Sequence, residues 1–115
     1  MPPARTPEEL DQLLEDAILL RDRTALPQLF EQDALCVIGG PELRGRRLIA
    51  RSLLETRYVA VQQHVLQRGG MALVLGAGSA HVACRHGNGW RFAISVLLPA
   101  ERATARTHLG EQRQA

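Results

Sequence analysis

The apolar residues near the start of the chain repeat with the period of a helix. Leu10, Leu13, Leu14, Ala17 and Ile18 follow at the three- and four-residue spacing that lines one helical face. Thr6 can cap that helix, Pro7 suits its first position, and Glu9 completes a capping box. The pattern predicts a helix over 7–20, with Glu8, Asp11, Glu15 and Asp16 outside the apolar stripe. A short second helix is expected over 25–32, carrying Leu26, Leu29 and Phe30 inward. Pro27 is tolerated there because it falls in the first turn. The apolar run 34–38 reads as a strand, 39–42 as a turn, and Leu43-Arg44 as a stub of returning strand. A third helix over 46–57 would present Leu48, Ile49, Ser52, Leu53 and Thr56 inward.

From there the period shortens to that of strands. Residues 59–67, 71–75, 80–86 and 90–98 are each bounded by glycine or proline. Asn88-Gly89 between two of them is a strong hairpin signal. In the last run, Trp90, Phe92, Ile94, Val96 and Leu98 alternate with Arg91, Ala93, Ser95 and Leu97. Neither set is polar enough for a solvated face, so both faces are expected to be covered in part. The order predicts an α+β domain, with three N-terminal helices packed on a curved antiparallel sheet. One domain is expected over 1–99, with 100–115 a poorly ordered or surface tail.

Charge changes this picture only by halves. Residues 1–55 carry ten acids and seven arginines; residues 56–100 carry no acid, four arginines and three histidines. The basic half could face an anionic ligand, or it could be an ordinary solvated face or complement the acidic half in a dimer. Four dispersed arginines and only four aromatic residues argue against nucleic acid. Every basic residue is arginine, as a GC-rich genome would give and as bidentate anion contacts would select. No apolar run is long enough for a membrane span, and the first ten residues hold no signal-peptide core. Cys36 and Cys84 have no partner spacing for a metal, so no metal or cofactor is expected. Two reduced thiols fit a cytoplasmic protein.

Several short runs resemble one superfamily. Asp22-Arg23-Thr24-Ala25-Leu26-Pro27-Gln28-Leu29-Phe30-Glu31-Gln32-Asp33-Ala34 is similar to the early signature of the nuclear transport factor 2-like (NTF2-like) proteins, which include SnoaL-like members. Arg44-Gly45-Arg46-Arg47-Leu48-Ile49, Gly70-Met71-Ala72-Leu73-Val74 and Asn88-Gly89-Trp90-Arg91 resemble later segments in the same order. The resemblance covers roughly 8–98 and implies a cone-shaped, cystatin-like α+β roll around an apolar pocket. It also implies a homodimer through the sheet. The stretch between Val74 and Trp90 is short for the family, which implies a trimmed or lost hairpin.

Ketosteroid isomerases of this fold use a strand carboxylate and two oxyanion donors. Here the base position falls near Ile38, the helix-1 donor position near Leu14, and the later strands hold no acid. The residues therefore argue against that chemistry. The resemblance makes Asp33 structural, at a helix-to-strand turn. His64 and His81 are the titratable candidates for a general base if both point inward. Phe30, Tyr58 and Ser95 complete the candidate ligand-binding set, with Tyr58 expected to pack its ring and expose its hydroxyl. His86 and His108 are expected to be solvated. The expected function is binding of a small apolar or weakly anionic molecule. The alternatives are an isomerase, cyclase or dehydratase using His64 or His81, and a dimeric association module without catalysis.

Overall fold

A computed structural model describes residues 3–98; the expected tail at 100–115 lies outside the described residues. The first helix, α1 (Pro7–Leu19), starts where the sequence says it should. The Thr6 hydroxyl accepts the Glu9 amide at 3.0 Å, and the Glu9 carboxylate accepts the Arg5 amide at 3.2 Å. Leu10, Leu14, Ala17 and Ile18 are buried. Asp11 is buried with them, contrary to the expectation. It stands three residues before Leu14 and seven before Ile18, and so shares their face.

The second helix is a single turn, α2 (Ala25–Gln28). The Asp22 carboxylate accepts the Thr24 and Ala25 amides and so opens that turn. It ends early because the chain is drawn into β1 (Phe30–Ile38), where the Leu29 carbonyl accepts the Phe92 amide at 2.8 Å. Asp33 is therefore an exposed strand residue, not the turn residue expected. After β2 (Glu42–Arg44) comes α3 (Arg46–Leu53), shorter than expected. Its last turn is closed by the Thr56 hydroxyl on the Ser52 carbonyl at 3.1 Å. Ile49, Ala50 and Leu53 face inward, whereas Leu48 is exposed. The helices are unequal: α2 is a single turn, and α3 follows β1 and β2, the order the sequence pattern predicts.

Residues 57–61 have no regular structure. Then β3 (Gln62–Arg68), β4 (Met71–Gly76), β5 (Ser79–His86) and β6 (Gly89–Leu97) form an antiparallel meander. No strand of the meander is lost in the short stretch before Trp90. The last hairpin turns on Gly87-Asn88, one residue earlier than expected, with Gly87 at φ 63°. A glycine with positive φ at the first central position suits such a two-residue turn. The six strands lie in the order β2-β1-β6-β5-β4-β3. The β1–β6 pair is parallel, so the sheet is mixed, not wholly antiparallel. Register shifts interrupt the ladder in β1, β3 and β6, and bulges of this kind bend strands.

The helices cover one face of this sheet. There Leu10, Leu14, Leu26, Ile49 and Leu53 meet Ala72, Ala83, Phe92 and Leu97 in one buried cluster. The register fixes which strand residues share that face. Val65, Val74, His81, Ser95 and Cys36 lie in one cross-strand row on the helix side. The next row on the other side runs Leu66, Leu73, Val82, Ile94, Leu35, and no described element covers it. No described helix is long and apolar enough to cross a membrane.

Candidate functional site

His81 and Ser95 are direct neighbours across β5 and β6 in the middle of the inner apolar row. The His81 Nδ1 and the Ser95 Oγ are 2.7 Å apart. On the other side of the ring, His81 Nε2 lies 3.0 Å from the Tyr58 hydroxyl and 3.7 Å from the Asp11 carboxylate. The Tyr58 hydroxyl donates to Asp11 and lies 3.3 Å from the Ser79 hydroxyl. Five polar side chains from α1, the 57–61 segment, β5 and β6 thus form one connected network. Asp11 and His81 are each 1% exposed and Ser95 is fully buried. Tyr58 is half-buried and is the outermost aromatic member.

One arrangement of protons satisfies every group. Ser95 donates to His81 Nδ1, His81 Nε2–H donates to the Tyr58 oxygen, and Tyr58 donates to Asp11. These partners select the Nε2–H tautomer. Among the described residues no buried side-chain nitrogen or oxygen lacks a partner. Such satisfaction is what makes a buried polar cluster tolerable in an apolar interior.

Burial sets the proton affinities. It lowers the His81 pKa from 6.5 to about 4, so the ring is neutral at neutral pH. It raises the Asp11 carboxyl above its ordinary 3.8, and hydrogen bonds from Tyr58 and Gln62 draw it part of the way back. Burial also pushes the Tyr58 phenol up, and its bond to Asp11 adds to this. A neutral imidazole and a carboxyl of raised proton affinity, 3.7 Å apart, can take one proton and return another.

The sequence candidates divide on this geometry. Tyr58, His81 and Ser95 are brought together. Phe30 is fully buried and reaches the network only through Phe92, with ring centroids 5.4 Å apart; Phe92 in turn lies 4.4 Å from the His81 ring. His64 is excluded. It is exposed and pairs with Leu75 on the uncovered face, because it alternates with Val65 of the inner row. The two histidines therefore cannot share a ligand. Tyr58 also differs from expectation, since its hydroxyl points inward. His86 is exposed and is paired with the Glu31 carboxylate. Asp11 was missed, although its helical spacing to Leu14 and Ile18 carried the signal.

Trp90, Phe92, Ser95 and Leu97 all face inward, although simple alternation puts the first two opposite the last two. Ala93 is an extra residue between Phe92 and Ile94, opposite the adjacent pair Val82 and Ala83. A cleft of about 270 Å³ lies at the far end of β5, lined by Gln28, Leu29, His86, Asn88, Trp90 and Arg91. It includes no member of the network. No three His, Cys, Asp or Glu side chains among the described residues converge as a metal site would need.

No family model matches the sequence, and no curated protein matches it significantly. Solved structures do match, over most of the chain. A candidate calcium/calmodulin-dependent protein kinase type II association domain from Thiobacillus denitrificans superposes with a TM-score of 0.67 at 17% identity, covering 86% of this chain and 98% of that one. A candidate dehydratase of the NTF2-like family from Streptomyces avermitilis gives 0.61 at 21% identity, covering 79% and 91%. The chain has the NTF2-like fold. A ketosteroid isomerase-like protein from Erwinia carotovora atroseptica gives 0.67 at 15% identity, covering 81% and 92%. Within one NTF2-like fold these relatives carry different designations, so the fold does not choose a function.

Proposed function

We propose that this NTF2-like domain binds a small hydroxyl- or carbonyl-bearing molecule and handles its protons with His81 and Asp11. The observation that carries this reading is the Tyr58 hydroxyl, held at once by Asp11, His81 and Ser79 in an otherwise apolar interior. Three converging hydrogen-bonding side chains cost a small domain much desolvation for one half-buried tyrosine. The same groups suit proton transfer to and from a ligand oxygen or its neighbouring carbon. In this reading Asp11 accepts the ligand's proton, His81 donates through Nε2–H, and Ser95 holds the imidazole. The candidate dehydratase and the isomerase-like relative support a reaction of elimination or isomerisation type. A cytoplasmic setting belongs to the same proposal.

The test is ligand binding read at His81. Protein with ¹⁵N-labelled histidine is titrated with a panel of cyclic ketones and their alcohols. Shifts of the His81 ring nitrogens, abolished in Asp11→Asn, are expected. A panel that leaves His81 unmoved at millimolar concentration overturns the reading.

A second reading rests on a separate observation. Leu66, Met71, Ile94 and Val96 are each 42–56% exposed on the uncovered sheet face. With half-buried Leu35, Leu73 and Val82 they form a continuous apolar surface. Such surfaces on small domains mark association sites. We infer a homodimer through this face, which the relative designated an association domain also supports. Sedimentation should give a dimer for the native chain and a monomer for Ile94→Glu; a native monomer at micromolar concentration refutes it.

A further inference from the structure

Tyr58 stands in an unusual relation to the network it completes. Among the described residues, its oxygen is the point at which Asp11, His81 and Ser79 meet. These partners belong to α1 and β5, whereas Tyr58 itself comes from the irregular residues 57–61. That segment has few ties to the sheet. The Val61 amide bonds to the Val59 carbonyl within the segment, and the Val61 carbonyl accepts the Ala77 amide at 3.1 Å. The Ala60 amide is held by the Glu15 side chain rather than by a strand. Val59 and Val61 are exposed. Segments with few buried apolar contacts and few ladder bonds are the ones that open locally.

The groups behind Tyr58 belong to regular elements; Asp11, His81 and Phe92 are buried and Ser79 is half-buried. Behind the tyrosine ring stands the His81 ring, edge to face with centroids 6.0 Å apart, and then Phe92. The position that Tyr58 fills is therefore a site with an aromatic back wall and three hydrogen-bonding partners for one oxygen. Its present occupant is a phenol attached to a loosely held segment.

Resting on the acid–base reading above, we propose that Tyr58 is an internal stand-in for the ligand. The ligand is a phenol or a ring enol. Its hydroxyl takes the place of the Tyr58 oxygen between Asp11, His81 and Ser79 when residues 57–61 swing outward. The chemistry selects this class. The cluster offers a carboxylate to accept an O–H, and an imidazole N–H and a hydroxyl to donate to the same oxygen. A carboxylate ligand would bring like charge against Asp11. A ketone could not donate to it.

The test uses two small molecules that differ by one hydroxyl, p-cresol and toluene. In Tyr58→Ala, p-cresol replaces the missing side chain and is expected to bind at least about tenfold more tightly than toluene. That preference should vanish in Tyr58→Ala with Asp11→Ala. Tyr58 is the sole tyrosine of the chain, so ring ¹³C-labelled tyrosine reports on it alone in the native protein. Saturating p-cresol should move that one resonance toward the position of an exposed tyrosine. Equal binding of toluene and p-cresol by Tyr58→Ala overturns the proposal, as does a native Tyr58 signal that p-cresol leaves unmoved. If Tyr58→Ala fails to fold, the native-protein titration decides alone. Ketones and alcohols that shift His81 while Tyr58 stays in place would refute the stand-in yet leave the acid–base reading intact. Silence at both residues removes both.

Discussion

Acidification should destabilise this domain through one residue, His81. An unfolded imidazole takes up a proton as the pH falls through about 6.5. In the folded chain His81 does not do so until about pH 4, because burial disfavours its charged form. Between those limits the unfolded state binds more protons, so stability rises with pH and falls on acidification. The contribution is fully present above pH 6.5 and is lost as the pH drops to about 4. At about 1.4 kcal/mol per pH unit the loss amounts to about 3 kcal/mol. Domains of this size hold only about 5–15 kcal/mol in total.

Asp11 works in the opposite sense. Its raised pKa means the folded state keeps a proton over a range where the unfolded carboxyl has released it, so acidification through that range is stabilising. The net acid sensitivity of the native chain is therefore smaller than the His81 contribution alone. The clean quantity is the difference between the native protein and His81→Gln, since the other ionisable side chains are common to both. Urea unfolding at several pH values between about 4 and 7 gives it. The native chain should lose about 3 kcal/mol more than the variant across that window. Parallel curves for the two proteins, or an NMR titration of the His81 ring near 6.5, would show that the ring is not desolvated and would refute the argument.

Other parts of the structure make separate commitments. Ser95→Ala removes the donor to His81 Nδ1 and leaves a buried acceptor unmatched; urea unfolding should show a loss of about 1–3 kcal/mol. Gly76→Ala would bring a methyl group 2.7 Å from the Val61 carbonyl oxygen and 2.9 Å from the Ser79 hydroxyl. Both positions flank Tyr58, so this variant should be destabilised and should shift the single tyrosine resonance; an unmoved resonance speaks against rigid packing there. Thr6→Ala deletes the α1 cap and should cost about 1 kcal/mol in urea unfolding, with no change at His81.

Much of the fold could be read from local patterns, because local chemistry fixes it. The Thr6 cap, the Leu10 to Ile18 stripe, the glycine turns and the meander depend on neighbours a few residues apart. The candidate site depended on longer reach. Asp11 reads as lying outside the apolar stripe, although its spacing sets it on the face of Leu14 and Ile18. Its partner Tyr58 is 47 residues away, and nothing local announces the pair. The early end of α2 follows from a parallel pairing of β1 with β6, which no turn signal encodes. His64 and His81 look alike as strand histidines, yet the ladder register sends one to the uncovered face and the other into the core.

The same register governs both proposed functions through Ala93. With strict alternation, Phe92 and Ser95 would face opposite sides of β6. They face the same side because Ala93 is a bulge residue, and this leaves Ile94 and Val96 outward, where the proposed dimer surface needs them. If Ala93 is the extra residue, its deletion joins Phe92 directly to Ile94 and keeps every later residue on its present face. The variant should fold, retain the bond between His81 and Ser95, and remain dimeric, with a straighter β6 and a modest loss of stability. Were β6 regular through this point, the deletion would instead turn Ser95 and Leu97 outward and drive Ile94 and Val96 into the core. His81 would then lose its Nδ1 partner, and its ring nitrogens would report the change. The histidine spectrum of the deletion variant therefore distinguishes a bulge that sets both faces from a strand whose sides were misassigned.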